Sequence, residues 1–183
     1  MVYVTPAQYL EQEETAEFRN EYHDGTVVPM DPGSLRHAII CINLGAALHS
    51  DPRTANCYVY GSNGRVRITP AGPYTYADVS VISGQPEYAE ESVLNPILII
   101  EVLSPSTRDY DCGRKFTLYR AIPSLREYLT VAQETPFLEQ RTRQDDGSWI
   151  FTETKGMESS LSLKSIGCEV PFSSIYSKVE FDA

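Results

Sequence analysis

Apolar and polar positions along the chain predict an ordered succession of elements. Thr5 and Pro6 precede Ala7-Gln8-Tyr9-Leu10-Glu11, a hydroxyl ahead of a proline at the first helical position, which predicts a capped helix ending near Glu17. Phe18 to His23 and Thr26 to Met30 flank Asp24-Gly25, a pair suited to the positive backbone angles of a tight turn, so a β-hairpin is expected. Ser34 caps a second predicted helix running to about His49. Its apolar residues, Leu35, Ala38, Ile39, Ile40, Ile42, Leu44, Ala47 and Leu48, reach nearly all round, which predicts burial on every side. Residues 57–60, 65–69, 74–82 and 96–103, each bounded by Gly, Pro or Asn, read as strands. Ser104-Pro105-Ser106-Thr107 ends that region and can cap a helix through Ala121. Residues 127–132 form a further strand, 137–143 pair with 148–153 across Asp146-Gly147, and a short helix starts near Ser173. This order predicts an α/β protein with a central mixed β-sheet flanked by helices.

Two acids close predicted strands, and a lysine follows. Ile97 to Ile100 run apolar without alternation, the pattern of a strand covered on both faces. Glu101 therefore stands where a carboxylate is costly unless paired or bound to metal. Strand alternation puts Asp78 on the face of Tyr76, Ser80 and Ile82, with Val79 and Val81 opposite. The bland account of Asp78 is a strand-end aspartate in solvent. On a helical wheel of roughly 100° per residue, Leu118, Ile122, Tyr119, Cys112 and Phe116 form an arc with Lys115 near its middle. The bland account of Lys115 is a stem covering apolar surface while the ammonium reaches water, or a pair with Asp111. Taken together, Asp78 and Glu101 offer hard oxygen ligands for Mg²⁺, and Lys115 a cation for developing charge, as phosphodiester cleavage requires.

The chain of 183 residues suits one domain, spanning residues 1–183. No apolar stretch approaches the length of a membrane span, and Met1 to Pro6 carries no basic segment followed by an apolar one, so a cytoplasmic protein is expected. The four cysteines, Cys41, Cys57, Cys112 and Cys168, form no Cys-x-x-Cys pair and show no clustered His partner. They are expected to be free thiols rather than zinc ligands. The 25 acids against 15 Lys plus Arg give a formal net charge of −10, which opposes nonspecific affinity for nucleic acid. Any such binding must be local, through Arg65, Arg67, Arg108, Arg114 and Lys115.

Four stretches carry a family resemblance. Tyr76-Ala77-Asp78-Val79-Ser80-Val81, Asn95 to Thr107 around Ile99-Ile100-Glu101-Val102-Leu103, Asp111 to Arg120, and Ile122 to Tyr128 closely resemble the Uma-two family of restriction-endonuclease-like proteins. Glu21-Tyr22-His23-Asp24-Gly25 and the helix containing His37 extend the resemblance over most of the chain. It implies a PD-(D/E)XK nuclease core with a divalent-metal site, for Mg²⁺ or Mn²⁺, at one end of the sheet. In that pattern Asp78 matches the first metal-binding acid and Glu101 the second, with the backbone carbonyl of Val102 as a further ligand. Glu21 matches an N-terminal acidic position able to add a metal or water contact. Ala77 replaces the motif's proline, and Leu103 stands where the motif has lysine, so Lys115 would have to supply the cation. His37 reads first as a hydrogen-bonded core residue and only second as a catalyst. The implied activity is a metal-dependent endonuclease acting on DNA or RNA, with a homodimer expected by symmetry. A non-catalytic binding or assembly module and a metal-dependent hydrolase of small phosphoesters are the rival readings.

Overall fold

The computed structural model of the chain describes residues 3–30, 33–104 and 110–181. Helix α1 (Pro6–Glu14) begins with Thr5 and Gln8 capping each other reciprocally. It stops short of the expected Glu17 because Glu13 turns back to accept from the backbone and side-chain N–H groups of Asn20, both at 3.0 Å. Strands β1 (Asn20–His23) and β2 (Thr26–Pro29) form the expected hairpin, with φ of 47° at Asp24 and 91° at Gly25. Helix α2 (Leu35–Ser50) is capped by Ser34, as expected, but is not buried all round. Only Ile40, Leu44 and Leu48 are fully covered, whereas Leu35 is 87% and Ile42 69% exposed. A helix lying on a sheet buries one stripe, and α2 carries more apolar residues than that stripe can hold.

Strands β3 (Cys57–Gly61) and β4 (Arg65–Arg67) follow. The expected single strand over 74–82 is instead two, β5 (Tyr74–Tyr76) and β6 (Val79–Ser83), separated at Ala77-Asp78. The break has a topological cause: β5 pairs with β1 and β4 in one sheet, and β6 with β3 and β9 in another. Asp78 thus sits where the chain changes sheets. Two short strands the sequence did not announce, β7 (Tyr88–Ala89) and β8 (Ser92–Val93), lead to β9 (Leu98–Leu103). The expectation of a helix from the Ser104-Pro105-Ser106-Thr107 stretch falls in part on residues 105–109, which lie outside the described residues. Beyond them a π-helical turn (Tyr110–Lys115) passes directly into α3 (Phe116–Tyr119). Strands β10 (Glu127–Ala132) and β11 (Phe137–Arg143) match expectation, and β12 (Trp149–Lys155) begins one residue late. A hairpin of β13 (Ser160–Leu163) and β14 (Cys168–Pro171), unforeseen in the sequence, precedes α4 (Phe172–Ile175).

The central sheet runs β12-β11-β10-β9-β6-β3 and is mixed, β9 and β10 being parallel and the other pairs antiparallel. A second sheet runs β2-β1-β5-β4-β8-β7. On one face of β9, Leu98, Ile100 and Val102 pack with Ile40 and Leu44 of α2 and with Leu161 and Phe172. On the other, Ile99 meets Val66, Tyr119 and Tyr128. The architecture is therefore the expected α/β arrangement, a central mixed sheet flanked by helices. Burial of each such aliphatic side chain contributes about 1.5–3 kcal/mol, and a slip of one residue would turn every β9 side chain to the wrong face. That register fixes the direction of Glu101. Among the described residues no helix is long and apolar enough to cross a membrane.

Candidate metal and catalytic site

Glu101 lies on the face of Ile99, toward the π-helical turn, and is 2% exposed. From that turn Lys115 brings its ammonium to 3.0 Å from Glu101 Oε1, 3.3 Å from Glu21 Oε1 and 3.7 Å from Asp111 Oδ1. Lys115 Nζ also donates to the carbonyl of Tyr76 at 3.3 Å. The lysine does not reach water: its side chain is 7% exposed. The buried line of this segment is Asp111, Lys115, Tyr119 and Ile122, while Cys112, Phe116 and Leu118 are only half-buried. A regular wheel misplaces those three because the first turn is π-helical, and such turns recur at functional sites.

Each carboxylate around Lys115 has its own surroundings. Glu21, on β1, accepts from the Tyr76 N–H at 3.2 Å and from the Tyr110 hydroxyl at 3.2 Å, and its Oε2 lies 3.0 Å from His23 Nε2. Burial alone would raise its pKa, but Lys115, His23 and the Tyr76 N–H outweigh burial and hold it at about 2. Burial would likewise strip the proton from Lys115, yet Glu101, Glu21 and Asp111 hold it firmly charged. For Glu101 burial wins: its carboxyl is pushed well up, with Asp78 and Asp111 adding to the effect and Lys115 opposing it. Among the described residues the Lys115 ammonium, at 3.0 Å and poorly aligned, is the one group that meets Glu101 Oε1.

Asp78 approaches from the other side. Strand β6 pairs with β9 only as far as Val79 opposite Ile100, and past that point the side chain of Asp78 takes over the strand edge. Its Oδ2 accepts from the Val102 N–H at 2.7 Å and lies 3.1 Å from His37 Nε2. Burial lowers the pKa of His37, but the hydrogen bond to Asp78 and that group's charge prevail and raise it. Asp78, Glu101, Val102, Lys115, Glu21 and Asp111 all line one cavity of about 190 Å³, so every site residue singled out in the sequence borders the same space.

Three neighbours escaped the sequence reading. Tyr110 bridges Glu21 and His23, its hydroxyl 2.9 Å from His23 Nε2, and burial keeps the phenol protonated as a donor. Tyr110 lies in none of the stretches that carry the resemblance, and His23, although it stands in Glu21-Tyr22-His23-Asp24-Gly25, is assigned no role there; their place in space reveals both. The third is Cys41, whose thiol lies beside His37 and Asp78. This overturns the expectation that no cysteine has a clustered His partner: His37 and Cys41 are four residues apart on a helix and share a face. The expected nucleic-acid cations fare unevenly. Arg65 is bound to Ser92 and the carbonyl of Glu90, Arg67 pairs with the Glu90 carboxylate at 2.8 Å, and Lys115 is buried. Arg114 is exposed, and Arg108 lies outside the described residues.

With this geometry in view, known proteins can be compared. The solved structure described as "Crystal structure of a putative nuclease belonging to DUF820" from Anabaena variabilis ATCC 29413 superposes with a TM-score of 0.77 at 12% identity, covering 95% of this chain and 98% of that one. Two relatives come from Synechocystis sp. (strain ATCC 27184 / PCC 6803 / Kazusa). Uncharacterized protein slr1290 is 32% identical over 97% of this chain and 94% of its own length, and uncharacterized protein sll1609 is 35% identical over 84% and 88%. The family described as "Putative restriction endonuclease" matches residues 6–172, with all of the cavity's acids and its lysine inside the match, and the chain belongs to that family, Uma2.

Proposed function

We propose that the chain is a metal-dependent endonuclease hydrolysing phosphodiester bonds of nucleic acid. In this reading Asp78, Glu101 and the carbonyl of Val102 hold Mg²⁺ or Mn²⁺, and Lys115 and Glu21 serve the reaction beside them. The observation that carries it is the buried Lys115 ammonium, 3.0 Å from Glu101 in a cavity that Asp78 also lines. Restriction-endonuclease-like proteins generally use divalent metals, and the donor set suits such an ion. Carboxylate and carbonyl oxygens are the hard ligands it prefers, and among the described residues Glu101 Oε1 is met only by the Lys115 ammonium. In a strand the N–H and C=O of one residue point to the same side, so the Val102 carbonyl opens toward the gap where its N–H meets Asp78. When bound, the ion supplies Lewis acidity and a water of lowered pKa.

The chain's own groups do the rest. Lys115, held charged by three carboxylates, is aimed at charge developing on the phosphate. Both Glu21 oxygens already have partners, so its part is to position Lys115. Leu103 is buried and cannot supply the motif's cation; Lys115 reaches the same neighbourhood from the helical turn. The same reading makes the chain one domain over residues 1–183, acting in the cytoplasm as a homodimer that presents two sites to two strands.

A divalent-metal titration against single-stranded, duplex and branched DNA and RNA, run beside Glu101→Ala, tests the proposal. Metal-dependent cleavage that Glu101→Ala abolishes is the expected result, and its absence across the panel overturns the reading. The net charge of −10 favours one alternative, a hydrolase of small phosphoesters. Turnover of nucleotides with no cleavage of polynucleotides would decide for it.

A further inference from the structure

We propose that His37, Cys41 and Asp78 form a second metal site, which takes Zn²⁺ or another borderline-soft divalent ion and shares Asp78 with the hard-ion site. Among the described residues this is the one place where three His, Cys, Asp or Glu side chains bring ligand atoms together, all within 4.8 Å of one another. His37 and Cys41 stand one turn apart on α2, a helix fixed at its start by the Ser34 cap and along its length by Ile40, Leu44 and Leu48. Asp78 faces them from the break between β5 and β6.

The spacing is close to what a tetrahedral ion asks. Bonds of about 2.0–2.1 Å to nitrogen, about 2.0–2.2 Å to oxygen and about 2.3 Å to sulfur place ligand atoms roughly 3.3–3.6 Å apart. His37 Nε2 lies 3.1 Å from Asp78 Oδ2 and 3.9 Å from Cys41 Sγ, on either side of that range. Cys41 Sγ also lies 3.5 Å from His37 Nδ1, so joint ligation through Nε2 requires the Cys41 side chain to swing toward the Asp78 side of the ring. All three residues are half-buried, which leaves room for a fourth ligand from solvent. Cys41 coordinates as thiolate and releases its proton to solvent.

Ligand chemistry separates the two sites. Imidazole and thiolate suit Zn²⁺ and Co²⁺, whereas Mg²⁺ prefers the oxygens of Asp78, Glu101 and Val102. Because Asp78 belongs to both sets, an ion on the His37–Cys41 side draws its carboxylate away from Glu101 and inhibits Mg²⁺-supported cleavage. That consequence rests on the proposed function; the binding itself does not.

The full chain titrated with Co²⁺, which adopts zinc-like geometry and reports thiolate ligation by near-ultraviolet charge-transfer absorption, reads the site directly. One equivalent should produce the band, Zn²⁺ should displace it, and excess Mg²⁺ should not. Cys41→Ala should abolish it, His37→Ala and Asp78→Asn should weaken Co²⁺ binding at least about tenfold, and Cys168→Ala should retain it. Cys41→Ser, which keeps size and polarity, must lose the band too if Cys41→Ala does not fold. The site is overturned by a wild-type protein with no band, or by a band that survives in the Cys41 variants. Cleavage assays on the same samples separate the two proposals. A cobalt band without any cleavage upholds the site and removes the nuclease, while cleavage unaffected by Zn²⁺ at saturation overturns the inhibitory role.

Discussion

Lys115 and Lys155 hold a carboxylate at nearly the same distance, 3.0 Å to Glu101 and 2.9 Å to Glu153, yet the two contacts are different physical objects. The side chains of Lys155 and Glu153 are 67% and 42% exposed on β12, whereas those of Lys115 and Glu101 are 7% and 3% exposed. Water and salt screen the outer pair, and such pairs contribute about 0–1 kcal/mol. The inner group gathers three carboxylates around one ammonium away from water, where desolvation costs several kcal/mol per ion on the order-of-magnitude scale. Burial alone would favour an apolar side chain at position 115. A lysine there, ringed by acids at one end of a cavity, is what electrostatic catalysis requires and stability does not.

The largest expected effect is therefore that of Lys115→Met. Cleavage should fall on the order of 10²-fold or more as one transition-state contact disappears. Stability should also drop by about 3–5 kcal/mol, since Glu101, Glu21 and Asp111 lose their common partner. Steady-state kinetics at saturating metal and chemical denaturation check the two parts. A variant as mild as Lys155→Met in both would erase the contrast between the lysines.

Next in size is the linkage between metal and proton at Glu101. Burial pushes this carboxyl up against the opposing pull of Lys115, so an incoming cation competes with a proton there. Mg²⁺ binding at neutral pH should release up to about one proton, measured by calorimetry in buffers of different ionisation enthalpy. Glu101→Gln should remove both the release and most of the affinity. Proton-neutral binding to the parent would show that Glu101 is already ionised and that its environment is more polar than its burial indicates.

The parts of this contrast differ in how far the sequence announces them. Glu101 is legible because the apolar run before it demands a strand covered on both faces, and the structure has that strand. Lys115 is legible as a buried lysine, although a regular wheel assigns it the wrong companions at Cys112, Phe116 and Leu118. Asp78 can be picked out by motif, but the change of sheet that turns it toward α2 depends on pairing partners distant in sequence. His37 and Cys41 show a helical spacing that a search for Cys-x-x-Cys pairs passes over. The β13–β14 hairpin had a signal, the alternation of Ser160-Leu161-Ser162-Leu163, which the sequence reading missed. Tyr110 had none, since its value lies wholly in reaching Glu21 and His23.

Acid should separate the inner cluster from the surface by a smaller margin. Glu21 is held at about 2 against its ordinary 4.5, because Lys115, His23 and the Tyr76 N–H more than offset burial. A folded-state value below the unfolded one stabilises the protein fully above the unfolded pKa, and the contribution is lost as pH falls from about 4.5 toward about 2. The loss should be on the order of 3 kcal/mol. Denaturant titrations through this window should show a steeper fall for the parent than for Glu21→Gln. Parallel profiles would mean that Glu21 gains nothing from Lys115.

The smallest expected effect belongs to the outer pair, and its source can be resolved. Lys155 sits opposite Phe137 in the β11–β12 register, with its ammonium 5.1 Å from the ring centroid, and it also meets Glu153 two residues earlier on the same strand face. An exposed cation–π contact contributes about 0.5–1 kcal/mol, comparable with an exposed ion pair, but salt screens the two unequally. Glu153→Gln removes only the ion pair and should cost no more than about 0.5 kcal/mol, vanishing at high salt. Lys155→Met keeps an apolar stem over Phe137 while removing the charge, and should cost about 0.5–1 kcal/mol, part of it persisting in high salt because the ring contact is short-ranged. Neither change should affect cleavage. If Glu153→Gln matched Lys155→Met and both effects vanished with salt, the carboxylate alone would hold Lys155; a loss approaching that of Lys115→Met would mean that exposure does not distinguish the two lysines after all.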